Sequence, residues 1–185
     1  RYDLDRYILN VNALQTHKNH ERLLTAYARL REEHDVPQQL VLVGRDGLGA
    51  DQIHGLLARD DLGKHVRHLG YVPRKDLRGL YSGADLVVNP SLCEGFGLPL
   101  LEAMACDAVV AASDAASFPE VGGDALLYFD PLSVNSISSA MWQGIADLQL
   151  RSSLVKKGRA RVQRFSWEAA ARSTVDAYRA WCGAL

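Results

Sequence analysis

Cysteine is scarce: the three present, Cys93, Cys106 and Cys182, are odd in number and far apart, with no C-x-x-C pair. That pattern suggests neither a disulfide framework nor a zinc site, and it fits a reducing compartment. Methionine occurs twice and not at position 1, so the chain is read as a piece of something longer. No apolar run approaches the roughly 20 residues of a spanning helix, and the charged opening RYDLDR is not a signal peptide. An excess of either charge is missing too. Lys plus Arg number 21 against 22 Asp plus Glu, a formal net charge of -1, so no overall field recruits nucleic acid or an anionic membrane. The expected location is cytoplasmic, with no nucleic-acid partner.

What is present fits one globular domain over residues 1–185. Hydrophobic residues make up 48% and charged residues 23%, and a chain of this length buries about 70% of its surface on folding. Short β-rich runs stand at Tyr7 to Val11, Gln39 to Val43, Val66 to Leu69, Asp85 to Asn89, Ala108 to Ala112 and Ala125 to Phe129. Between them the spacing predicts helices over Asn19 to His34, Asp51 to Ala58 (capped by an acidic residue), Arg74 to Tyr81 and Leu98 to Cys106, the last with Pro99 in its first turn. The tail has no strand signal and reads as three helices, Val134 to Ile145, Arg151 to Arg164 and Trp167 to Trp181, with Ser166 capping the final one. Near-continuous Val, Leu and Ala strands alternating with helices indicate an α/β, doubly wound Rossmann-like parallel sheet covered on both faces. In such sheets ligands bind beyond the carboxyl ends of the strands.

The richest of those strand ends is Pro90 to Cys106 (PSLCEGFGLPLLEAMAC). Gly95 and Gly97 let backbone approach a ligand with no Cβ in the way, and the free N–H groups of a helix start favour an anion, phosphate above all. Glu94 and Glu102 can flank one ligand.

This stretch resembles the E-x7-E signature of family 4 retaining glycosyltransferases (glycosyl transferases group 1, GT-B fold). Three further blocks are similar to the same family in the same order: Tyr7 to Leu24 with THKNHERLL, Leu69 to Asp85 with LGYVP and LYSGAD, and Pro119 to Pro131 with PEVGGDALLYFDP. The resemblance covers nearly the whole chain and matches the C-terminal, donor-binding half of the family's two-domain enzymes. It implies an N-terminal acceptor domain absent from this chain.

Residue by residue, the resemblance implies that Lys18 holds the donor diphosphate, that Glu94 faces the donor sugar, and that Glu102 accepts both ribose hydroxyls. The amides of Gly95, Phe96, Gly97 and Leu98 match sugar and phosphate contacts. Gly44, Arg45, Tyr71 and Val72 fall where backbone groups hold the base, and Glu120 sits in a supporting turn. Two departures stand out. Asn12 or Ala13 takes the place of an Arg that shares the diphosphate charge, with His17 at a position often held by a second Arg. The family's Cys-Gly-x-Pro is here Cys106, Asp107, Ala108 and Val109, where Gly and Pro shape a turn and carry no chemistry.

Other signals point to blander roles. Gly44 to Gly49 (GRDGLG) does not space its glycines as a dinucleotide loop does. His17 and His20 read as surface imidazoles rather than metal ligands. Arg151 to Arg164, with six basic residues and no acid, reads as a solvated face, membrane or partner contact being the other reading. Trp167, Tyr178 and Trp181 are expected to pack on the sheet or on the missing half.

The function implied is the donor-binding half of a retaining hexosyltransferase, moving a sugar to a saccharide or lipid-linked acceptor in polysaccharide biosynthesis. GDP-mannose is the favoured donor, on the wording around Lys18 to Glu21. No cofactor and no metal are expected, since Lys18 and a helix start supply the positive potential. The fragment alone is expected to be inactive, and peripheral association with the inner face of the membrane belongs to the full enzyme. The alternatives are a non-catalytic nucleotide-sugar-binding module and a GT-B-type epimerase or phosphorylase.

Overall fold

The computed structural model describes residues 2–182, with residues 60 and 61 as backbone alone; residue 1 and residues 183–185, the ends of the single-domain reading, lie outside the described residues. Six strands, β1 (Tyr7–Val11), β2 (Gln39–Val43), β3 (Val66–His68), β4 (Leu86–Asn89), β5 (Val110–Ser113) and β6 (Leu127–Phe129), form one parallel sheet in the order β3-β2-β1-β4-β5-β6. The helices are α1 (His20–Glu33), α2 (Ala50–Leu57), α3 (Asp60–Gly63), α4 (Arg74–Gly83), α5 (Leu98–Ala105), α6 (Phe118–Gly122), α7 (Val134–Ala146), α8 (Leu148–Val162) and α9 (Trp167–Cys182). This is the doubly wound arrangement that the alternating pattern predicts.

Successive strand side chains point to opposite faces, and here both faces are buried. Ile8, Leu40, Leu42 and Val88 join a core with Leu24 of α1 and Met141 of α7. Leu9, Val41, Val43 and Val87 join a second core with Tyr81 of α4 and Met104 of α5. Truncating a fully buried leucine such as Leu9 or Leu42 to Ala would cost about 2–5 kcal/mol.

Several boundaries differ from the sequence expectation, each for a local reason. Asn19 is left-handed at φ 60 and stands outside α1. α2 starts behind Gly49 (φ 97), with no side-chain cap, so Asp51 lies in its first turn rather than capping it. Asp107 turns at φ 61 and the Ala108 N–H returns to the Ala103 carbonyl, which delays β5 to Val110. α8 starts earlier than expected because Asp147 Oδ1 accepts from the Leu150 N–H at 2.9 Å. Ser166 does cap α9, accepting from the Ala169 N–H at 3.1 Å. The 3-10 turn Thr16–Lys18, α3 and α6 are too short to show a period.

In the tail one expectation is corrected and another is narrowed. Arg151 to Arg164 is not simply a solvated face: Arg151 donates to the Asp85 carbonyl at 2.6 Å, Lys157 pairs with Asp124 at 3.1 Å, Arg159 pairs with Asp107, and Arg161 donates to the Val121 carbonyl at 2.8 Å. Trp167, Tyr178 and Trp181 do not pack on the sheet, being 78%, 68% and 75% exposed on a helix that buries no residue.

Candidate active site

Strand order reverses between β1 and β4, so the loops leaving these two strands splay apart and open a crevice at the carboxyl edge of the sheet. The loop after β1 carries Lys18 and the loop after β4 carries Glu94. Across the crevice Lys18 Nζ lies 2.5 Å from Glu94 Oε1, and both side chains are mostly buried. Ser91 Oγ lies 3.0 Å from the same carboxylate oxygen. Residues 76 positions apart are thus joined at the switch point.

Buried amides set the floor of the crevice. Asn12 Nδ2 donates to Asn89 Oδ1 at 3.1 Å, and Ser91 Oγ, whose one hydrogen serves either this atom or Glu94, lies 2.8 Å from it. The side chain of Asn12, standing where the resemblance places an Arg on the diphosphate, is directed to Asn89. Asn89 Nδ2 is buried without a partner among the described residues. Asn19 Nδ2 donates to the Pro90 carbonyl at 3.1 Å and the Pro131 carbonyl at 2.8 Å, tying the β1, β4 and β6 ends together.

Beyond Glu94 the chain turns into α5 through Gly97 at φ 99, with no side chain capping the helix. A Cβ at Gly97 would meet Phe118 at 2.8 Å, whereas one at Gly95 would meet nothing within 4 Å. Gly97 is thus required by the fold, while Gly95 leaves space over the loop. Ser117 Oγ donates to the Phe96 carbonyl at 2.9 Å and fixes the turn. The uncapped start of α5 presents amide hydrogens and the positive end of its dipole, which suits an anion. The side chains of Phe96 and Leu98 line an apolar groove of about 460 Å³ that Glu102, Phe165 and Trp167 also line.

Glu102 is held separately, accepting from the Tyr81 hydroxyl at 3.1 Å. Burial, and after it the Glu102 charge, raises the Tyr81 phenol well above its ordinary range, so it stays a donor. On the other side of the crevice Gly44 (φ 152) follows β2, and a Cβ there would lie 2.0 Å from the Asn12 carbonyl oxygen. Arg45 stacks on the exposed ring of Tyr71 at 4.6 Å, while Val72 is buried. Glu120 is exposed on α6, and its carbonyl accepts from Arg161.

His20 corrects the sequence reading: His17 is exposed, but His20 is buried at 1% exposure. Its Nε2 lies 3.0 Å from Asn10 Oδ1, and the Asn10 amide nitrogen is committed to the Val88 carbonyl, so Nε2 carries the hydrogen. Nδ1 has no partner among the described residues, and a second proton there would be buried unpaired. Burial, with like charge from His68 and Lys18 after it, pulls this imidazole down to about 4.

Sequence reasoning missed Tyr81, Asn89, Ser91 and Ser117. Polar residues closing the apolar run of β4 were the signal for Asn89 and Ser91. Nothing local marked Tyr81 or Ser117.

Comparison with known proteins decides the family. The model for glycosyl transferases group 1 matches residues 1–161. The chain belongs to the glycosyl transferases group 1 family. It is 40% identical over 173 residues to O-antigen chain mannosyltransferase B of Escherichia coli, covering 94% of this chain and 45% of that protein. It is 33% identical over 175 residues to the D-inositol 3-phosphate glycosyltransferase of Corynebacterium jeikeium, covering 91% and 42%. Sucrose-phosphate synthase from Thermosynechococcus elongatus superimposes with a TM-score of 0.83 at 33% identity, over 98% of this chain and 47% of that one. The chain therefore spans less than half the length of these family members. Among the described residues no helix is long and apolar enough to cross a membrane.

Proposed function

We propose that this chain is the donor-binding half of a retaining hexosyltransferase that moves mannose from GDP-mannose to a saccharide or lipid-linked acceptor in polysaccharide biosynthesis. The observation that carries the reading is the Lys18–Glu94 pair at the switch point, beside the uncapped start of α5. As the bond from sugar to diphosphate breaks, negative charge builds on the leaving diphosphate. Lys18, once drawn from Glu94 by the diphosphate, and the α5 amides receive it, with no divalent ion at the phosphates. Glu94 would face the sugar and Glu102 the ribose. Mannose rests on the 40% identity to the O-antigen chain mannosyltransferase.

In this reading the acceptor is held by a domain outside these residues, and the inner membrane face is where a lipid-linked acceptor would be met. The 185 residues alone bind donor on an open face, where water screens Lys18. They transfer nothing, since a lone half neither positions an acceptor nor excludes water. A non-catalytic module draws on Asn12 in place of a cation, and donor consumption by the full-length enzyme separates the two.

The test is a thermal-shift panel of GDP, UDP, dTDP and ADP and their sugars. A nucleotide at 100 times its Kd stabilises by about 2.7 kcal/mol, and the guanosine pair is expected to give the largest shift. A panel with no shift, or a shift that Lys18→Ala leaves intact, would overturn the reading.

A further inference from the structure

Three side chains from three elements converge beside the Gly44–Gly49 loop: Asp46 from the loop itself, His54 from α2 and His68 from the end of β3. Asp46 Oδ2 lies 3.1 Å from His54 Nε2, and Asp46 Oδ1 lies 4.0 Å from His68 Nδ1. One ligand atom from each residue falls within 4.8 Å of the others. A tetrahedral ion with arms of about 2.0–2.2 Å sets its ligand atoms about 3.4 Å apart. Closing this triad on one ion therefore takes small side-chain movements, and Asp46 and His54 are exposed enough to make them.

A second observation concerns His68. Its Nε2 is 2.9 Å from the Gly44 carbonyl oxygen. A carbonyl only accepts, so Nε2 carries a hydrogen toward Gly44, and Nδ1 is the ring nitrogen left facing the Asp46 carboxylate. A backbone carbonyl behind the imidazole is also what fixes the tautomer and orientation of a metal-ligating histidine.

We propose that Asp46, His54 and His68 bind a divalent transition metal of the zinc class, with three protein ligands and a fourth position for water. Two imidazoles and one carboxylate suit zinc, whereas magnesium and calcium take oxygen ligands. The site shares no residue with the Lys18–Glu94 pair or with Glu102. It clips the loop carrying Arg45 to α2 and β3.

Calorimetric titration of the 185-residue chain with zinc chloride, and separately with magnesium chloride, tests this. The expected result is one zinc site and no magnesium heat. His54→Gln and Asp46→Asn, both at exposed positions, should each weaken zinc by at least the about 10- to 100-fold lost when a mere outer-shell partner is removed. Zinc binding weaker than a Kd of about 1 mM, or unchanged in both variants, would overturn the proposal.

Discussion

Glu94 occupies Lys18 before any ligand arrives: the Oε1–Nζ bond of 2.5 Å bridges the loops after β1 and β4, with the side chains 13% and 14% exposed. A diphosphate reaching Lys18 therefore competes with Glu94 for the cation. Removing the competitor leaves the mostly buried Lys18 without its counter-charge, and a gain of at least about fivefold in affinity, about 1 kcal/mol, is expected. Glu94→Gln should accordingly bind nucleoside diphosphate more tightly than the parent, while transfer by the full-length enzyme falls. Lys18→Ala should bind it more weakly. Calorimetry decides, and weaker binding by Glu94→Gln would mean that the carboxylate helps to hold the ligand.

Glu102 is the expected ribose clamp. Glu102→Gln should lower nucleotide affinity by about 1.5–3 kcal/mol, the range for hydrogen bonds to a charged group. Tyr81→Phe removes the hydroxyl that orients Glu102 and should cost less, because the carboxylate stays. Equal binding by Glu102→Gln and the parent in the same titration would rule out the clamp.

The glycines separate fold from ligand contact. Gly44→Ala drives a Cβ onto the Asn12 backbone, and Gly97→Ala strains a φ of 99 against Phe118. Both should lower the unfolding temperature, the first by more because backbone cannot swing aside. Gly95→Ala meets open space and should leave stability within about 0.5 kcal/mol yet weaken donor binding. Chemical denaturation and a binding titration on the three variants give the comparison.

His20 predicts a pH dependence of stability. In the folded protein it is neutral down to about 4, whereas in the unfolded chain it takes a proton near pH 6.5. Between these values the unfolded state binds more protons, so stability is lost as pH falls below about 6.5, and this group contributes no slope well above it. From pH 7 to pH 5 the loss amounts to about 2 kcal/mol. His20→Gln keeps a donor for Asn10 and should flatten that part of the slope in urea unfolding at the two pH values.

Much of the fold was legible because the strands are apolar on both faces. β1 and β2 stand at the residues where the runs YILNV and QLVLV begin and end. α6 was not, since five residues including Pro119 and Gly122 hold no period. Lys18, Glu94 and Glu102 were singled out through motif resemblance, while the bond between the first two comes from strand order, which no local window contains. His20 was misread because its neighbours Lys18 and Glu21 give it the look of a surface turn. Its burial depends on Asn10, a polar residue inside β1 whose partner lies in α1. Asp46, His54 and His68 come from a loop, a helix and a strand, and only the fold brings them together.

The amide of Asn19 spans 71 residues to Pro90 and 112 residues to Pro131. Loops of that length close slowly, and contacts that depend on them form after local ones. During synthesis Lys18 is among the first candidate site residues made, and its neighbour can bond Pro90 well before residue 131 has emerged. A chain halted at residue 120 would carry Lys18, the whole E-x7-E stretch and the Asn19–Pro90 bond, but not the tie to Pro131 beyond β6. The candidate crevice is therefore completed in two stages, its β6 edge last.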